Sequence, residues 1–156
     1  MANCERVKWD ESLATGIDEI DRQHKYFILM LSEIQLAIEE KDPDLLRGEM
    51  MFMDRYANWH FSTEEKFMRL YNFPDFENHR KAHWRFREET KRLIESVSRD
   101  VVLDPESYSL EIRKYLVDWF VAHIKGMDMK FVEYLNEKNL QLPHEEIPEE
   151  FKKKGD

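Results

Sequence analysis

The sequence predicts an all-α protein: an up-down-up-down antiparallel four-helix bundle with an extended N-terminal arm. Three observations predict it. Four long stretches carry apolar residues at helical spacing. The dipeptides Asp42-Pro43 and Asp104-Pro105 mark helix starts, with Asp accepting orphan N–H bonds and Pro losing no donor at the first helical position. The composition is 42% hydrophobic and 37% charged, with four Gly and five Pro in 156 residues. That is helical and soluble, with too little turn and β-branched content for a sandwich or barrel.

Residues 1–16 read as the arm, with Trp9 placed to pack across the open end of the bundle. The first helix is predicted over 17–40, with Ile17, Ile20, His24, Phe27, Ile28, Leu31, Ile34 and Ile38 on one stripe. The second follows Asp42-Pro43 to about Tyr71, turning inward Leu46, Met50, Met53, Ala57, His60, Glu64, Phe67, Met68 and Tyr71. The stretch YNFPDF breaks it, and Pro74 is expected to start the third helix, with Phe76, His79, His83, Phe86, Leu93, Ile94 and Val97 inward. The fourth begins at Asp104-Pro105 and carries Ile112, Leu116, Trp119, Phe120, His123, Met127 and Phe131. The bundle domain spans 17–135. Residues 136–156 form a charged tail with two prolines and little apolar content, expected to be flexible or loosely docked.

A formal net charge of -9 argues against nonspecific binding to nucleic acid or to an anionic membrane. No apolar run approaches the roughly 18 residues of a spanning helix, so no membrane insertion is expected. The first residues lack the apolar core of a secretory signal, and the lone Cys4 has no internal disulfide partner. Together these point to a cytoplasmic setting.

Five of the six histidines fall on inward stripes: His24, His60, His79, His83 and His123, joined by Glu64 and Asp128. His60 and Glu64 are four residues apart, as are His79 and His83, so each pair aims from one helix face. Burying this set without partners would cost about several kcal/mol per group. A metal centre removes that cost, because carboxylates bind ionised and imidazoles bind neutral. His123 and Asp128 are five apart. In a regular α-helix that interval rotates about 140°, so they either serve two metals, the preferred reading, or the helix is locally widened. The absence of nearby Cys excludes a thiolate zinc site or a cluster, and the nitrogen-rich set excludes all-oxygen magnesium or calcium. Zinc and manganese stay open. No Glu-x-x-His occurs, which argues against the oxygen-activating di-iron bundles.

Trp9, GIDEIDRQH, HFSTEE, HRKAH and DWFVAHIKGMD together resemble the bacterial hemerythrins, single-domain non-haem di-iron oxygen carriers, over residues 7 to 135. The resemblance implies one iron on His79, His83 and His123 and the other on His24 and His60. Glu64, Asp128 and a solvent-derived oxo or hydroxo would bridge them. It also implies an open position on the second iron for dioxygen, and a dry apolar pocket walled by Phe27, Phe61, Trp119, Phe120 and Ile124. Where the family commonly has Leu, this chain has the bulkier Phe120, which is expected to narrow the route to that position.

The function implied is reversible dioxygen binding for storage, delivery or scavenging, and not an enzyme, since no nucleophile, general base or substrate cleft is left over. The rivals are an oxygen or redox sensor signalling to a protein partner, and a di-iron reductase of peroxide or nitric oxide. Other features need no special role. His144 reads as a solvated tail residue, RKAHWRFREETKR as an outward basic face, the methionines at 50, 51 and 53 as filling, and Asp18 and Asp21 as favouring the helix dipole.

Overall fold

The computed structural model describes residues 5–97, 101 and 103–155, with the side chains of 153–155 left aside; Cys4 lies outside them. Among the described residues there is no strand. A short 3₁₀ turn, Glu11–Leu13, precedes α1 (Asp18–Glu39), α2 (Pro43–Leu70) and α3 (Phe76–Glu95). A continuous helical rod over 105–137 follows and is called α4, then α5 (Glu149–Gly155).

Local chemistry sets these ends. Asp42 accepts from the amides of Asp44 and Leu45 at 3.1 Å, and Asp104 accepts from Ser107 at 3.0 Å, each with Pro as the first helical residue. Pro74 does not start α3. It sits in the preceding turn, and the helix begins two residues later behind Asp75. Asn72 and Asn139 adopt left-handed backbone (φ 54° and 55°). They close α2 and α4 with the back-bonds Phe73 N–Met68 O and Leu140 N–Leu135 O, both 2.9 Å.

The start of α1 has no side-chain cap at Ile17. Asp21 instead accepts from the Thr15 amide and hydroxyl at 2.8 Å and from the Gly16 amide at 3.2 Å. Gly16, at φ +89°, makes that curl without steric cost. Asp21 is therefore a buried anchor for the entry loop, more than a contributor to the helix dipole. Val7 donates to Gln35 at 2.8 Å, and Lys25 lies over the Trp9 ring, so the arm rests on α1.

α1 packs on α2, α2 on α3, α3 on α4 and α4 on α1. One apolar cluster gathers Phe27, Leu31, Ile34, Met53, Leu116 and Phe120, and a second gathers Phe67, Met68, Phe73, Phe131 and Leu135. Along each of α1 to α4 the histidines and carboxylates of interest fall between or beside these two clusters. Residues 138–151 also rest on the bundle, burying Ile147 and Phe151. No helix among the described residues is long and apolar enough to cross a membrane.

α4 is not a uniform α-helix. Arg113–Asp118 and Ile124–Asp128 are π turns, flanking the single α turn Trp119–His123, and the backbone stays right-handed helical at every junction. A turn closed at i→i+5 holds about one residue more than an α turn. The five-residue gap from His123 to Asp128 is thus spanned by a local widening, and both side chains face inward. Met127, read as inward, is only half-buried because the widening gives that place to Asp128.

Candidate metal centre

Each of the four long helices supplies at least one side chain to the centre: α1 gives His24, α2 His60 and Glu64, α3 His79 and His83, and α4 His123 and Asp128. All seven are at most 5% exposed. One ligand atom from each of Glu64, His79, His83, His123 and Asp128 lies within 4.8 Å of the others, and the same holds for His24, His60 and Glu64. Glu64 belongs to both groups.

Asp128 also reaches both. Its Oδ2 is 3.1 Å from His24 Nε2, and its Oδ1 is 3.0 Å from His79 Nε2 and 3.3 Å from His123 Nε2. Glu64 Oε1 is 3.4 Å from His83 Nε2 and 3.6 Å from His60 Nε2. All five imidazoles therefore turn Nε2 inward. Two of them, His83 and His123, bring these nitrogens to 3.2 Å of each other.

The donor set fits a cation. Buried polar atoms without a hydrogen-bond partner collect here: Nε2 of His24, His60 and His79, and both oxygens of Glu64 and of Asp128. Buried polar groups in folded proteins are ordinarily paired, so this concentration marks a place where partners of another kind belong.

Three supporting residues escaped the sequence reading. Gln23 Oε1 lies 2.7 Å from His60 Nδ1, and Glu65 Oε2 lies 2.7 Å from His83 Nδ1. An acceptor at Nδ1 fixes that proton and frees the Nε2 lone pair to point inward. Tyr56 donates to the Gln23 carbonyl at 2.7 Å. The available signal was the position of Gln23 one residue before His24, and of Glu65 one residue after Glu64.

The residues named above for a pocket wall pack on the histidines or on one another. Phe61 stacks on His83 with ring centroids 3.9 Å apart, and Trp119 stacks on His123 at 4.6 Å. Phe120 stacks on Phe27 at 4.0 Å and meets His24 edge-on at 5.5 Å. Ile124 is buried and Trp119 half-buried.

Without a metal the cluster balances its own charge. Burial opposes protonation of His24, but the adjacent Asp128 and Glu64 carboxylates outweigh it and raise its pKa to about 9. Burial likewise opposes charge on His83, and Glu64 and Glu65 carry it to about 9. Burial pushes His60 down to about 4 and lowers His123. Despite burial, the surrounding histidines hold the Glu64 and Asp128 carboxyls below their usual range.

These shifts give a signed expectation. A raised imidazole pKa stabilises the fold fully below the unfolded value of 6.5, and that contribution is lost as pH climbs to about 9. The metal-free chain should therefore melt at progressively lower temperature from pH 6.5 to 9. His60 works oppositely: its neutral form stabilises above 6.5, and that contribution disappears as pH falls through about 4. Calorimetry of chelator-treated protein across this range checks both limbs. Metal-loaded protein should be nearly flat between pH 6.5 and 9, its imidazoles being neutral already.

Comparison with known proteins agrees with this donor set. Residues 15–135 match the family model described as the hemerythrin HHE cation binding domain. The chain is 30% identical to a bacteriohemerythrin of Stenotrophomonas maltophilia over 125 residues, covering 80% of this chain and 78% of that one. It is 28% identical to bacteriohemerythrins of Campylobacter jejuni, covering 83% and 95%. It is 24% identical to a myohemerythrin of Theromyzon tessulatum, covering 81% and 92%. With the family model spanning most of the chain and seven buried histidine and carboxylate side chains gathered at its centre, this protein belongs to the hemerythrin HHE cation-binding family.

Proposed function

We propose that this chain binds dioxygen reversibly at a non-haem di-iron centre, for storage, delivery or scavenging. The observation that carries the reading is the division of the buried set into two overlapping groups that share Glu64. His79, His83 and His123 would hold one iron, and His24 and His60 the other. Glu64 and Asp128 would lie between them with an oxo or hydroxo bridge. Bound iron supplies the electrons and the open coordination position that dioxygen requires. The names of the bacteriohemerythrin and myohemerythrin relatives support iron and oxygen here.

The chain's own work is to hold, orient and dry the site. Gln23 and Glu65 keep the Nδ1 protons outward, and the inward Nε2 atoms need no rearrangement to ligate. Phe27, Phe61, Phe120 and Ile124 are buried and apolar, so they exclude water and offer no acid or base. A wall without proton donors favours release of intact dioxygen over its reduction. The helices are taken to run up-down-up-down, with residues 17–135 as the functional domain and 1–16 as an arm.

Iron content and visible spectra under oxygen, and then after purging, test this. About two irons per chain and a coloured adduct that vanishes and returns support a carrier; irreversible oxidation, or colourless zinc, counts against it. Phe120 offers a sharper check. Phe120→Leu removes the stack on Phe27 and part of the cover over His24, so oxygen on- and off-rates should both rise in flash photolysis. The lost packing should cost about 1–2 kcal/mol. Unchanged rates would remove Phe120 from the access route.

A further inference from the structure

Beyond the stretch matched by the family model, residues 138–151 lie along the α1–α2 side of the bundle. They are fastened at several points. The Tyr71 hydroxyl donates to the Gln141 carbonyl at 2.7 Å, and Arg22 donates to the Glu145 carbonyl at 2.8 Å. The Glu145 amide donates to Glu19 at 3.0 Å, and its carboxylate meets Lys66 at 2.6 Å. His144 bridges Glu19 and Glu146 at 2.6 Å each. Ile147 and Phe151, each 2% exposed, sink into the main core, where Phe151 meets the Tyr56 ring at 5.1 Å. Under this segment lies a cavity of about 20 Å³, room for one water-sized molecule. Its inner wall includes Gln23, His60 and Glu64, and its outer wall includes Leu142, Pro143 and Glu145.

Phe27 and Phe120 stack with ring centroids 4.0 Å apart, Phe120 meets the His24 ring edge-on at 5.5 Å, and neither phenylalanine lines this cavity. His60 and Glu64 both line the cavity beneath the tail, and the tail covers it with Leu142, Pro143 and Glu145. Taking the metal-centre reading as its basis, we propose that residues 138–151 are a strap closing this entrance. Its docking sets how fast small ligands and metal ions pass between solvent and the His24–His60 half of the centre. Local opening of such a segment requires only that its few apolar anchors and surface bonds release together, far less than unfolding the bundle.

The strap is tested in the full-length chain with Ile147→Ser/Phe151→Ser, which removes the apolar anchors, and with Arg22→Ala, which frees the Glu145 carbonyl but leaves those anchors in place. Phe151→Leu is the control that keeps an apolar anchor. Limited proteolysis reports release of the tail. Iron extraction by a chelator and azide binding to the oxidised protein report passage to the centre. In the metal-free chain, modification of His60 by diethyl pyrocarbonate, located by peptide mapping, reports the entrance without any metal.

Release of the tail should speed iron extraction and His60 modification by roughly ten-fold, as expected when local opening limits access. His83, on the far side, should change little, and Phe151→Leu should match the parent. A released tail with all rates unchanged overturns the strap, as does a parent chain whose tail is cleaved as fast as in the double variant. If the chain takes up no metal, the metal reading falls. The His60 modification rate then decides the strap alone: faster in the double variant supports it, and equal rates overturn it.

Discussion

Replacing Asp128 with Ala should strip the protein of its paired metals. Asp128 lies within 3.3 Å of histidines from α1, α3 and α4. In the proposed di-iron arrangement Asp128 would serve both ions, so iron measured per chain should fall by at least about half. The reversible coloured adduct should disappear with it. The metal-free variant should also be weaker, since removing one partner from a buried charged cluster costs about 3–5 kcal/mol. Asp118→Ala, at an exposed carboxylate that pairs with Arg113 on the same helix, is the matched control. It should keep full iron and nearly full stability. Normal iron content in Asp128→Ala would contradict the bridging role.

The second large effect is expected away from the ligands. Gln23→Leu keeps side-chain size but removes the acceptor facing His60 Nδ1. His60 is then free to adopt the tautomer or rotation that turns its lone pair from the metal. Losing such an outer partner typically costs about 10–100-fold in metal affinity. The loss should fall on the His24–His60 half, so one class of iron should leave quickly and the other slowly. Glu65→Leu, which removes the acceptor facing His83 Nδ1, should do the reverse. Stopped-flow chelation resolves the two phases. Identical, uniform weakening in both variants would mean that the residues act through general stability and not through their own imidazoles.

Much of this was legible in the chain, and particular residues show why. Asp42-Pro43 and Asp104-Pro105 act within one helical turn, so sequence alone locates those starts. His60 with Glu64 and His79 with His83 repeat at four, and the helix places them together without reference to anything distant. The misses are of two kinds. Pro74 is tolerated either at a helix start or in the turn before it, and local sequence does not choose between these. Gln23, Glu65 and Asp21 look like ordinary polar surface residues, because their partners lie elsewhere in the chain or across a loop. The tail is a similar case. Ile147 and Phe151 are isolated apolar residues in a charged segment, and the sequence around them does not show the Phe52, Tyr56 and Trp59 rings of α2 on which Phe151 packs.

The widened turns of α4 have a consequence for its phase. From Tyr108 through Ile112, Leu116, Phe120, Ile124 and Asp128 to Val132, every fourth residue is buried. Four residues of α-helix overshoot a full circle by about 40°, so over that length a regular helix would carry the seam about 240° around its axis. A repeat longer than the natural period can be kept facing one partner by right-handed supercoiling. Here the two π turns absorb the excess instead, each taking up about one residue. The last helix thereby keeps a single seam toward its neighbours without having to wind around them, and a carboxylate five places beyond a histidine arrives on the same line.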